Sequence, residues 1–152
     1  MNEKINPVIL VVEDDEGMLF YCQHELKQHY TVHAVKSAEE MFTALESLTP
    51  DLILLDIILP GMDGYQAART LKSDERYKGI PIIFISGLTD EMSETEGFNA
   101  GAVDYIYKPI VASQLIRRIG TQLHLLKLQN EMKELQLSIK SKNNEMEDEN
   151  NG

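Results

Sequence analysis

Five short apolar runs recur along the chain at fairly even intervals: Val8–Val12, Tyr30–Val35, Leu52–Leu55, Ile82–Ile85 and Val103–Tyr107. The first, third and fourth are continuous, the pattern of strands covered on both faces. The second alternates, with Val32 and Ala34 set against Thr31 and His33, and predicts a strand nearer a sheet edge. Helical periodicity fills the gaps. Ala38, Met41, Leu45 and Leu48 stand at 3-4-3 spacing behind a capping box of Ser37 and Glu40. Met18, Cys22 and Leu26 form a shorter stripe, and Ala68 and Leu71 mark a helix after the turn Pro60-Gly61-Met62-Asp63-Gly64. Met92 and Phe98 anchor a weaker helix over 91–100, and Ile116, Ile119, Leu123 and Leu126 a strong last one. Five alternations of strand and helix predict right-handed crossovers and a parallel sheet with helices on both faces.

The C-terminal part reads differently. Leu125, Leu128, Met132, Leu135, Ile139, Lys142 and Met146 follow one another at 3-4-3-4-3-4 spacing, and only Lys142 is charged. This is the seam of a two-stranded coiled coil on a helix that continues from the last domain helix. A long helix packed back on its own domain, or a fraying tail, are the alternatives. Residues 143–152 are polar and acidic, the composition of a disordered tail. The expected division is a domain over 1–125, a helical extension over 126–142 and the tail over 143–152.

Composition narrows the classes of function. With 152 residues, 43% of them hydrophobic, there is room for one domain with a real core and an appendage. Fourteen Lys and Arg against 25 Asp and Glu give a net charge of −11, which argues against non-specific binding to nucleic acid or an anionic membrane. The lone Cys22 excludes an internal disulfide and any multi-cysteine zinc site, and reads as a small apolar helix residue. No stretch reads as a signal peptide or a membrane span, so the expected compartment is the cytoplasm.

In an open parallel sheet, ligands sit at the carboxyl ends of the strands. Glu13, Asp14 and Asp15 follow the first run, Asp56 closes the third, Ser86 follows the fourth and Lys108-Pro109 the fifth. Asp56 lies between Leu52-Ile53-Leu54-Leu55 and Ile57-Ile58-Leu59, where a carboxylate needs a partner. Two carboxylates about 5 Å apart repel by roughly 3 kcal/mol at an effective dielectric of about 20. A divalent cation removes that repulsion, and oxygen ligands suit Mg²⁺. Mg²⁺, a carboxylate nucleophile, a hydroxyl and a lysine make a site for a phosphoryl group.

The stretches VILVVEDDEGM (8–18), PDLILLDIILPGMDG (50–64), PIIFISG (81–87) and GAVDYIYKPI (101–110), in this order and spacing, resemble the receiver domain of two-component response regulators over roughly residues 6–125. The resemblance implies a flavodoxin-like, doubly wound α/β fold: a five-stranded parallel sheet of order 2-1-3-4-5 with five helices, the last one extended. It implies that Asp56 is the phosphoacceptor, that Asp14 touches Mg²⁺ directly and Glu13 through water, and that Ile58 offers the metal its backbone carbonyl. Asp15 is not expected to be a ligand. Ser86 would hydrogen-bond the phosphoryl group and Lys108 pair with it. Tyr105 would be the aromatic that turns inward on activation, although an ordinary amphipathic tyrosine is the alternative. The Lys108–Pro109 bond is expected to be cis. Ser86 stands in place of the commoner threonine. Ile58 and Leu88, each two residues beyond a site residue, are apolar and cannot hydrogen-bond an attacking water, which implies a slowly hydrolysed acyl phosphate.

The function so implied is a Mg²⁺-dependent phosphorylation switch. It would be loaded by a histidine kinase or histidine phosphotransfer protein, with output through the fourth helix, fifth strand, fifth helix and the C-terminal helix. A homodimer through that helix is expected, with no direct nucleic-acid or membrane partner. As an enzyme the chain would only phosphorylate and slowly dephosphorylate itself. An inactive-receiver scaffold and an aspartate-nucleophile phosphohydrolase remain as alternatives. Hydrolases of the haloacid-dehalogenase type carry a second Asp two residues after the nucleophile, where this chain has Ile58.

Overall fold

A computed structural model describes residues 6–87 and 91–151, with the backbone alone for 91–93. The elements run β1 (Val8–Val12), α1 (Glu16–Leu26), β2 (Thr31–Val35), α2 (Ala38–Leu45), β3 (Leu52–Asp56), α3 (Gly64–Lys72), β4 (Ile82–Ser86), α4 (Glu91–Asn99), β5 (Asp104–Tyr107) and α5 (Ala112–Asn151). All strand pairs are parallel, in the order β2-β1-β3-β4-β5, so the fold is the flavodoxin-like one that the resemblance implies. The continuous runs have become β1, β3 and β4, the three inner strands. Every residue of β3 and β4 is buried. The alternating run has become β2 at the edge, with Thr31 and His33 exposed.

Local chemistry sets the helix starts. Asp15 caps α1, its Oδ1 accepting from the backbone N–H of Met18 at 2.8 Å. Ser37 caps α2, accepting from the N–H of Glu40 at 3.1 Å. The return arm of the expected box is displaced by one residue: Glu40 Oε2 accepts from the N–H of Lys36 at 2.7 Å. A complete capping box sits instead at α3, where Asp63 and Gln66 satisfy each other's backbone N–H groups.

Some helix faces are turned from their expected positions. Leu19, rather than Met18, joins Cys22 and Leu26 in the core. In the last helix Leu115 and Ile119 are buried, while Ile116 is only partly so. Phe98 does not anchor α4: it is 46% exposed, and among the described side-chain positions of that helix Gly97 is the one turned to the core. The side chain of Met92 lies outside the described residues.

The chain divides into two compact units, Met1–Ile119 and Gly120–Gly152. The second is helical as far as Asn151, so the helix runs on through residues whose composition reads as a disordered tail. Among the described residues no helix is long and apolar enough to cross a membrane.

Candidate functional site

The carboxyl ends of β1, β3, β4 and β5 converge at one edge of the sheet. β1 delivers Glu13 and Asp14, β3 ends in Asp56, and β4 ends in Ser86, one residue beyond the partner of Asp56 in the ladder. The chain after β5 is tied to β4 by the Lys108 N–H donating to the Ser86 carbonyl at 2.8 Å. The Lys108–Pro109 peptide is cis, as expected. The ammonium of Lys108 donates to Asp56 Oδ2 at 2.8 Å and lies 3.5 Å from Glu13 Oε1. The other Asp56 oxygen, Oδ1, accepts from the backbone N–H of Ile58 at 2.9 Å. Glu13, Asp56 and Ser86 are buried, whereas Asp14 is open to solvent. The site therefore has one wet side, on which a ligand could enter.

Its electrostatics follow from that burial. Burial first, and then the neighbouring Asp56 carboxyl, push Glu13 up to about 8. For Lys108, burial acts to lower the value, but the hydrogen bond and charge of Asp56 and the charge of Glu13 outweigh it, and the net shift is upward. The same burial pushes the thiol of Cys22, on the inner face of α1, up to about 12.

Glu13, Asp14 and Asp56 each bring one oxygen within 4.8 Å of the others, and Glu13 Oε2 is buried with no hydrogen-bond partner. Three hard oxygen donors and an orphaned carboxylate oxygen fit a divalent cation of the Mg²⁺ kind. The side chain of Ile58 is 63% exposed, and its backbone N–H holds Asp56. Leu88 lies outside the described residues.

Tyr105 stands opposite Phe84 in the ladder and is buried, not a surface tyrosine. Its ring packs edge-on against Phe84 at 6.0 Å, and its hydroxyl has no partner. A Cβ at Gly97 would come within 2.7 Å of that ring. Two further constraints escaped the sequence reading. A Cβ on Gly64 would meet the Asp56 carbonyl oxygen and would lie 2.6 Å from Ile57 Cα, because the Gly64 N–H donates to the Ile57 carbonyl at 2.7 Å. The PGMDG turn was the signal for it. On the far side of β5, Arg118 pairs with Asp104 at 2.8 Å, a contact between α5 and β5 that no local pattern announces.

Residues 9–120 match the response regulator receiver domain, and the chain belongs to that family. Domains of this family are regulatory and phospho-accepting, bind Mg²⁺ at an acidic pocket, and act with histidine kinases or phosphotransfer proteins. The chain is 35% identical over 115 residues to a Vibrio cholerae protein named a probable cyclic di-GMP phosphodiesterase, covering 76% of this chain and 26% of that protein. It is 34% identical over 116 residues to the DNA-binding response regulator MtrA of Mycobacterium tuberculosis, covering 76% of this chain and 50% of that protein. The chain thus spans half or less of the length of these curated relatives.

Solved structures agree. A receiver domain protein from Methanospirillum hungatei superposes with a TM-score of 0.76 at 27% identity, covering 82% of this chain and 98% of that one. The signal receiver domain of a histidine kinase from Syntrophus aciditrophicus gives 0.72 at 31% identity, covering 78% and 90%.

Proposed function

We propose that Asp56 is the phosphoacceptor of a two-component switch. The observation that supports this most directly is the convergence of Lys108 on Asp56 at 2.8 Å beside the three-carboxylate cluster. A carboxylate oxygen of Asp56 attacks the phosphorus of a phosphohistidine on a kinase or phosphotransfer partner. An O–P bond forms, the P–N bond breaks, and its electron pair returns to the imidazole. Lys108 neutralises the growing charge on the phosphoryl oxygens, and Ser86 donates its hydroxyl to one of them. Glu13, Asp14 and Asp56, with the Ile58 carbonyl, would hold Mg²⁺, which when bound supplies positive charge to the same oxygens.

Phosphorylation draws Ser86 toward the acceptor, and Tyr105 occupies the space behind it. The surface of α4, β5 and α5 shifts between two populations as a result. In this reading residues 1–125 are the receiver and the helix beyond it pairs with a second copy. The chain works in the cytoplasm as a regulator, and its only chemistry is gaining and losing its own phosphoryl group.

Incubation with a small acyl-phosphate donor and Mg²⁺, followed by intact mass measurement, tests the assignment. One added phosphoryl group, absent in Asp56→Asn, is expected. Continuous release of free phosphate would instead make the chain a hydrolase, and no modification at all would make it a scaffold.

A further inference from the structure

From Lys127 to Asn151 every residue is exposed, so among the described residues the apolar seam of the second unit is left bare. Leu125, Leu128, Met132, Leu135 and Ile139 each remain between 45% and 62% exposed. A helix of this length with a bare apolar stripe needs a partner to hide it. We infer that the second unit pairs with a second copy of this chain as a parallel, in-register, two-stranded coiled coil, in which Lys142 faces its own counterpart and marks the weak layer. This rests on the helix pairing proposed above and adds its orientation, register and limit.

Four observations favour that occupant. A 3-4 repeat is self-complementary, since each seam residue packs into the space between seam residues of an identical helix. Half-exposed side chains along six apolar layers leave on the order of 500 Å² per chain, about 1,000 Å² over two copies, the level a specific interface needs. Ile139 falls at the first core position of its heptad and Leu128 and Leu135 at the second, the arrangement that favours two parallel strands. The flanking positions set His124, Glu131 and Ser138 against Gln129, Gln136 and Asn143 of the other copy, with no like charges opposed.

Lys142 breaks the apolar seam, and beyond it come Glu145, Glu147, Asp148 and Glu149. In register, ammonium meets ammonium and acidic segment meets acidic segment. Added salt screens both, so the dimer tightens severalfold between low and high ionic strength. Replacing Lys142 with Leu completes the seam and tightens the dimer by about tenfold or more.

Sedimentation of the full 152-residue chain over a concentration series is the test. The inference expects a monomer–dimer equilibrium that Leu135→Asp abolishes and Lys142→Leu strengthens. Residue 135 is exposed, so cooperative urea unfolding of Leu135→Asp verifies that the receiver stays folded. Leu128→Cys, with Cys22 buried and left in place, should form a disulfide with its own copy under mild oxidation. A monomer at every concentration would overturn both the inference and the pairing it rests on. A dimer without the Leu128→Cys cross-link would overturn only the parallel register. A dimer that survives Leu135→Asp would move the interface off this helix. Phosphoryl uptake by Asp56, read separately by mass, is untouched by any of these results.

Discussion

Replacing Lys108 with Met removes one positive charge from the site while keeping most of the length of the side chain. At an effective dielectric of about 20, the 2.8 Å contact to Asp56 corresponds to roughly 6 kcal/mol of bare attraction, while Glu13 at 3.5 Å, pushed up to about 8, is mostly uncharged at neutral pH and adds little. Desolvation of three polar groups offsets most of that, and breaking a buried pair costs about 3–5 kcal/mol net. The Lys108 side chain is 29% exposed, which lowers the expected loss to about 2–3 kcal/mol without divalent ions. Urea unfolding of the variant and the parent, with and without millimolar Mg²⁺, measures it. Mg²⁺ should restore most of the lost stability in Lys108→Met, because a bound cation supplies charge to the same carboxylates. A variant within about 0.5 kcal/mol of the parent in the absence of Mg²⁺ would refute the argument that the ammonium holds the carboxylates together.

Gly64→Ala should lower stability by about 1–3 kcal/mol, read from the urea midpoint, and slow phosphoryl uptake, because the added methyl meets the backbone of Asp56 and Ile57. Cys22 should resist alkylation in the native protein well above pH 8 and react fully in denaturant; rapid native labelling would show that α1 opens. Ile58→Ala should speed loss of the phosphoryl group from Asp56, since it shortens the apolar side chain two residues beyond the acceptor without touching the backbone N–H that holds Oδ1. An unchanged decay rate would remove that role.

The inner strands were legible because burial on both faces leaves an unbroken apolar run made of Val, Ile and Leu with a single Phe, whereas the run Met18-Leu19-Phe20-Tyr21-Cys22 in α1 carries no β-branched residue. Residues 8–12, 52–55 and 82–85 therefore mark the strands to within a residue. The site was legible as a set of strand ends, since a parallel sheet gathers those ends whatever lies between them. Helix faces were read less well. A stripe of three residues such as Met18, Cys22 and Leu26 fixes a face only to within a residue, and Leu19 took the core position. Phe98 misled because size alone suggested an anchor, whereas the aromatic rings of Phe84 and Tyr105 leave room there only for Gly97. Burial of Glu13 beside an exposed Asp14 was invisible for a different reason. Adjacent residues at a strand end point opposite ways, and only the tertiary fold decides which of them meets Lys108.

The tight fit between Gly97 and Tyr105 has a mechanical result. With no side chain at 97 to act as a spacer, the backbone of α4 rests directly on the phenol ring. A helix pressed toward the sheet meets the ring, and a ring that swings toward α4 meets the helix backbone. Such a contact pushes but does not pull, so it couples the two in the closing direction.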